Sequence, residues 1–254
     1  FESAQLRGPD FAPINTAMAT NQTTRGLMQV GGSRSLELQI TPVFDKSAEI
    51  PLGLIACVRD VTTEVTEQER MQAIHQAGLE LGDLTPQEVL DMGWEERKEL
   101  LKSKIVHFTK DLLKFESVEI RLLDHANKKR LVPLLVYGLE KAAVERELFA
   151  EPTGNGVTGY VAATGNSYLC LDTAHDPLYL VGNPTARSSL TVPLKRPDGI
   201  LGTFNVESSR ENAFNEKDQE FLELFSREVA VALHTLELLV VQQNAAATES
   251  MSLI

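Results

Sequence analysis

Between residues 34 and 42, apolar Leu36, Leu38 and Ile40 alternate with Ser35, Glu37 and Gln39. A period of two is the signature of a strand with one buried face. Gly31-Gly32-Ser33 just before it is a turn signal, so 24–30 and 34–42 are predicted to form a hairpin. Asp45-Lys46-Ser47 marks another turn, and a third strand is predicted over 51–60. Residues 1–20 carry Gly8, Pro9 and Pro13 and offer one or two helical turns. Three strands with so little helix are too few elements to close a core alone.

The period changes at residue 61. A helix is predicted over 61–83, with Met71, Ile74, Gly78 and Leu81 spaced by three, four and three. This reads either as a short coiled-coil seam or as an amphipathic helix lying on its own domain. Thr85, Pro86 and Glu88 fit an N-cap, a first helical position and a capping box. That helix is expected to break near Gly93 and resume over 95–114, where Leu100, Leu101, Ile105, Phe108, Leu112 and Leu113 share a face. Strands are predicted at 117–123, 130–137, 167–171, 188–194 and 199–208, the last two joined by the turn Pro197-Asp198-Gly199. A long helix is expected over 215–243. Its Leu222, Phe225, Val229, Ala232, Leu236 and Leu239 form a three-four seam, and Phe221, Val231 and Leu238 form a second apolar set. The chain then divides into 1–62, a linking helix at 63–84, a main domain at 85–243 and a tail at 244–254.

Hydrophobic residues make up 43% and charged residues 24%, as in ordinary globular chains. The net charge of -12 repels nucleic acid and anionic membrane surfaces, and neither partner is expected. Lys128-Lys129-Arg130 reads as a solvated turn. Cys57 and Cys170 each sit in an apolar stretch and read as small buried hydrophobes rather than a disulfide or zinc ligands. No apolar run approaches the ~20 residues of a membrane helix. A reducing cytoplasm is the expected location. Both ends read as cut from a longer chain.

Residues 154–208 contain an ordered series: Gly154-Asn155-Gly156-Val157-Thr158-Gly159-Tyr160-Val161, Gly165, Tyr168-Leu169-Cys170-Leu171-Asp172, Asp176-Pro177-Leu178-Tyr179, Arg187 through Leu194, and Asp198 through Ser208. In that order it resembles a GAF domain, over about 86–239. The resemblance implies an α+β fold: a six-stranded antiparallel sheet with helices on one face and a small-molecule pocket on the other. Such domains occur in sensor kinases, cyclic-nucleotide phosphodiesterases and transcriptional activators. A phosphate loop is the other reading of Gly154-x-Gly156-x-x-Gly159, but no strand leads into it and no acidic residue closes a βαβ unit. Residues 24–62 resemble the C-terminal half of a PAS domain, with Asp60-Val61-Thr62 at the junction to a signalling helix. Asp60 is placed to cap that helix.

The pocket candidates are Tyr160, Asp172, His175, Asp176, Tyr179, Arg187, Ser189, Thr191 and Thr203. Residues 172–179 form a polar loop suited to be a lid. Arg187 can meet an anionic ligand or form a salt bridge with Asp172 or Asp176. No cofactor is named by the sequence. The family's cyclic-nucleotide signature, Asn-Lys…Phe…Asp-Glu, is here Asn205-Val206, Phe214 and Asp218-Gln219. Neither cysteine has the neighbouring histidine of a bilin site. His107, His125, His175 and His234 are scattered, and His175 is the one placed for a ligand role. His75 lacks the context of a histidine-kinase phosphoacceptor, and no catalytic triad or metal cluster stands out. The expected function is a sensory segment of a signalling protein of the two-component, sensor-kinase type, and not an enzyme. Its partners would be a small molecule, a second copy through helices 61–83 and 215–243, and a downstream output domain. A ligand-free dimerising spacer is the alternative, and a small-molecule enzyme on the same fold the least favoured.

Overall fold

The computed structural model describes residues 4–7, 12–45, 51–82, 94–112, 115–124 and 126–252, with the backbone alone at 82, 94, 111, 112 and 239–252. The chain divides into two compact units, Phe1–Met71 and Gln72–Ile254. The expected N-cap at Thr85, the break at Gly93, and Leu113 and His125 lie outside the described residues.

The first unit is an antiparallel sheet in the order β1 (Ala4–Arg7), β2 (Thr24–Val30), β3 (Arg34–Val43) and β4 (Gly53–Asp60). Gly31 and Gly32 turn the β2–β3 hairpin with φ of 60° and 75°, a conformation that favours glycine. Helix α1 (Pro13–Thr20) buries Ala17 and packs on β2 and β3, where Ile40 is also buried. The strand β1 has no alternation of its own and is formed by pairing with β2. Cys57 was expected to be buried, but it is exposed. It lies on β4, an edge strand that also leaves Ile55 and Val58 exposed.

Helix α2 (Thr62–Gly82) starts where the Asp60 carboxylate accepts the Thr62 backbone N–H at 3.0 Å and its hydroxyl at 2.6 Å. The Thr62 hydroxyl oxygen also accepts the Ser35 N–H at 2.9 Å, which ties the helix start to β3. Asp60 therefore satisfies donors at the helix start, as its position implies.

The second unit begins within α2. Ala77 and Leu81 enter its core, and a Cβ at Gly78 would lie 2.9 Å from Glu228 Oε2 on the last helix. Helix α3 (Trp94–Val106) passes into a wider π turn, His107–Leu112, instead of running on as regular α-helix to 114. The Thr109 hydroxyl donates back to the Ile105 carbonyl at 2.8 Å, a bond that competes with the helix ladder.

Six strands follow in the order β7-β6-β5-β10-β9-β8, all antiparallel. They are β5 (Ser117–Leu123), β6 (Arg130–Tyr137), β7 (Leu148–Phe149), β8 (Tyr168–Cys170), β9 (Ser188–Arg196) and β10 (Gly199–Ser208). Between them lie α4 (Lys141–Val144) and α5 (Gly156–Thr164). The short β7 and α4 carry no period visible in sequence. Strand β10 carries a bulge against β9 at Ile200/Gly202, and on its other side it lies so close to β5 that a Cβ on Gly202 would sit 2.0 Å from the Arg121 carbonyl oxygen.

Asn215 caps α6 (Glu216–Ser252) by accepting the N–H groups of Lys217 at 2.9 Å and Asp218 at 3.2 Å. Asp218 returns the bond to the Asn215 N–H at 2.9 Å, completing a capping box. The helix continues through the segment read as a tail. Its seam residues Leu222, Phe225, Val229, Ala232 and Leu236 are all buried with Leu190, Val192, Phe204 and Val206 of the sheet. The three-four pattern of α6 is thus spent on the domain's own core, while Val231 and Leu238 stay exposed.

Candidate functional site

Period-two alternation gives the six-stranded sheet two unlike faces. Val118, Ile120, Leu190, Val192, Phe204 and Val206 belong to the core built with α3 and α6. The alternate residues, Glu119, Arg121, Ser189, Thr191, Thr203, Asn205 and Glu207, are polar, and all are buried as well. They are covered because α5 packs on β9 and β10 and the irregular segment 171–187 crosses the same region. Glycines make the close cover feasible. Gly156 starts α5 with φ 69°, and a Cβ at Gly159 would stand 2.6 Å from the Phe149 carbonyl oxygen.

The polar face is wired across strands. Asn205 is in register with Glu119 on β5 and Thr191 on β9, and the Thr191 hydroxyl donates to Asn205 Oδ1 at 2.8 Å. Arg121 Nε donates to Glu119 Oε1 at 2.7 Å. Its Nη groups donate to the carbonyls of Ala143, Val144, Arg146 and Leu131 at 3.0, 3.1, 3.0 and 3.5 Å. The guanidinium thereby fixes the segment around α4 as well as Glu119. Burial pushes the Glu119 carboxyl up, against the opposing pull of Arg121.

Glu207 has no such cation. Its Oε1 accepts the Tyr179 hydroxyl at 3.1 Å and the Asn205 amide at 3.5 Å. Its Oε2 is buried without a hydrogen bond of normal geometry. Burial first, and repulsion from Glu119, push its carboxyl up to about 7, although Tyr179, Asn205 and the Asn183 backbone pull it down. Burial and Glu207 in turn push the Tyr179 phenol above its ordinary value. A cavity of about 30 Å³ opens here, bounded by Glu119, Asn205 and Glu207 of the sheet, Arg146, the start of α5, and Tyr179, Leu180 and Gly182 of the segment 171–187.

Of the residues predicted for the pocket, Tyr179 lines this cavity. Ser189, Thr191 and Thr203 lie on the same buried polar face; the Ser189 hydroxyl meets the Cys170 thiol, and the Thr203 hydroxyl has no hydrogen-bond partner among the described residues. Tyr160 stacks edge-on against Tyr168 at 5.4 Å, and the Tyr168 hydroxyl donates to Asp176 at 3.0 Å, so these three form a separate cluster beside Cys170. Burial first, then Asp176, push the Cys170 thiol up to about 12. Asp172 and His175 pair at 2.5 Å on the surface, which lowers the carboxyl and raises the imidazole. Arg187 is half exposed and pairs at 3.7 Å with Glu211, not with Asp172 or Asp176. Glu119, Asn155, Asn205 and Glu207 were not among the residues predicted for the pocket. The available signal was their alternation with apolar residues on strands that themselves lie in the middle of the sheet.

A second, open groove of about 880 Å³ lies on the first unit, lined among others by Leu27, Gln39, Cys57, Arg59 and Val65. Among the described residues, no group of three or more His, Cys, Asp or Glu is arranged to hold a metal ion, and no helix is long and apolar enough to cross a membrane.

A protein-family profile described as GAF domain matches residues 99–234. Among solved structures, the free methionine-R-sulfoxide reductase of Neisseria meningitidis, in complex with its substrate, is similar at 18% identity with a TM-score of 0.54. The match covers 66% of this chain and 90% of that one. The GAF domain of a phosphoenolpyruvate-protein phosphotransferase from Coxiella burnetii is similar at 16% identity and a TM-score of 0.53, over 67% and 95%. The corresponding Acinetobacter domain reaches 17% and 0.51, over 66% and 94%. At these identities the likeness is one of fold. No curated protein matches the chain.

Proposed function

The chain belongs to the GAF domain family, and from that premise we propose that it is a sensory module whose second unit binds a small molecule beneath α5 and the segment 171–187. The observation that carries this reading is the fully buried polar face of the sheet. Folding gains nothing from burying Glu119, Glu207, Asn205 and the unpartnered Thr203 hydroxyl unless they serve a purpose there. The module is regulatory rather than catalytic, because its one pocket-side cysteine, Cys170, is buried and held as the thiol. The sensor-kinase setting, the half-PAS character of residues 24–62 and a cytoplasmic location belong to the same proposal. Ligand occupancy would move the lid, and α2 and α6 would carry the change, in a homodimer, to an output domain. Such coupling requires the ligand to prefer one of two states.

Purified protein examined by native mass spectrometry tests this. Retained small-molecule mass, or a shift with one member of a metabolite panel, supports it. A clean apo protein indifferent to the panel sinks it. The cavity volume favours a second reading. About 30 Å³ is room for a water-sized group, so a larger ligand has to displace Leu180 or Tyr179. A ligand-free dimerising spacer would keep the lid closed under every condition.

A further inference from the structure

Glu207 separates itself from every other acidic residue of the buried face. It is 3% exposed, and among the described residues it has no ion-pair partner. Glu119 is comparably buried but is neutralised by Arg121 at 2.7 Å, whose remaining donors are spent on backbone carbonyls. Glu207 lines a cavity, and its carboxylate meets only neutral donors there, the Tyr179 hydroxyl, the Asn205 amide and the Asn183 backbone. A buried carboxylate left in this way calls for a partner, best a charged one.

We propose that this pocket takes a small organic cation, a protonated primary amine or a guanidinium, whose N–H groups ion-pair with the Glu207 carboxylate beside Asn205. The proposal rests on the reading of the pocket as a ligand site. A cavity of about 30 Å³ matches the share of one water in the liquid, and an ammonium head group has that size. Leu139, Val157 and Leu180 border the same space and offer an apolar wall for the carbon chain. Arg146 also borders it, but its Nη2 is turned to the Val181 carbonyl at 3.1 Å. The competing occupant is a water molecule, which can also donate to that carboxylate.

The test is titration of the whole chain with methylammonium, butylammonium and guanidinium chloride at pH 8.5. Sodium and tetramethylammonium chloride at equal ionic strength serve as references, with melting temperature and calorimetric heat as readouts. At low millimolar concentrations, where guanidinium does not yet denature, the cations that carry N–H groups are expected to raise the melting temperature, while tetramethylammonium tracks sodium. Glu207→Gln is expected to lose at least tenfold in affinity. Glu207→Asp, which keeps the charge, retains the preference for N–H cations and serves if the glutamine variant fails to fold. Identical responses to all five salts mean a water site only and overturn the proposal, as does an undiminished response in Glu207→Gln. If a neutral or anionic metabolite binds and Glu207→Gln retains it, the cation proposal fails while the ligand reading stands. If neither cations nor metabolites bind, both fail.

Discussion

The Tyr179 hydroxyl donates to Oε1 of Glu207 across 3.1 Å, so one hydrogen bond joins the irregular lid to a central strand of the sheet. Removing it in Tyr179→Phe leaves Oε1 with the long Asn205 contact alone. The variant is expected to lose about 1–2 kcal/mol of stability. Hydrogen exchange is expected to speed up over 171–187 and not in α6. Equal acceleration in both would place the bond outside lid control.

Glu207 also predicts a pH dependence. Its carboxyl is raised from 4.5 to about 7, with burial the leading cause. Between those values the folded state holds a proton that the unfolded state has released. The stability this group contributes is therefore complete below about 4.5 and is lost as pH rises to about 7. The loss is on the order of 3 kcal/mol. The charged and titratable groups around it are Glu119 and Arg121 on β5, Arg146 after α4, and Tyr179 on the lid. Wild type and Glu207→Gln should be compared by urea denaturation from pH 5 to 8. The variant is expected to gain on the wild type steadily over that range. A pH-independent difference would show that Glu207 does not titrate there.

The strands of the two hairpins were legible because each hairpin has a turn signal next to a strand that alternates. Gly31-Gly32 set β2 against β3, and Pro197-Asp198-Gly199 set β9 against β10. The strands β1 and β7 were not, because four and two residues carry no period and exist only through pairing. The seam of α6 was legible as an apolar stripe and pointed to a second copy, whereas it packs on the domain's own sheet; periodicity does not say which of the two a stripe meets. The site was the least legible part. Alternation in Ser117-Val118-Glu119-Ile120-Arg121 tells which residues share a face. It does not tell that both faces are covered, so nothing in it marks Glu119 and Glu207 as buried. Asp172, His175 and Arg187, polar residues of a loop, stood out instead and are surface pairs.

Arg121 is expected to be indispensable for folding rather than for ligand contact. It is 1% exposed and bridges Glu119 to four carbonyls. Arg121→Ala leaves Glu119 buried without its cation, at a cost of about 3–5 kcal/mol. Arg121→Lys cannot reproduce the fork and is expected to recover less than half. Full recovery with lysine, measured by denaturant midpoint, would reduce the role to charge alone.

The two cysteines should differ sharply toward a thiol reagent. Cys57 is exposed on an edge strand, whereas Cys170 is fully buried with its thiol pushed up to about 12. At pH 8 one thiol per chain is expected to react within minutes and the second only on unfolding, by more than a hundredfold in rate. A rapid second equivalent would mean that the region of Tyr168 and Asp176 opens readily. It would also return a reactive cysteine to the pocket side of the fold.

The dimer reading depends on what α6 leaves uncovered. Leu222, Phe225, Val229, Ala232 and Leu236 are consumed by the domain core, so they are not available to a second chain. Val231 and Leu238 are 60% and 50% exposed and stand seven residues apart, hence on one face of the helix. A partner helix would cover that face. Light scattering at micromolar concentration is expected to give a dimer for the wild type and a monomer for Val231→Glu combined with Leu238→Glu. The melting temperature of the isolated fold should hardly change, because both side chains already face solvent. A wild-type monomer would remove the dimer from the proposed relay. A dimer that survives the double substitution would move the interface elsewhere, and α6 would then have to signal through its buried face instead.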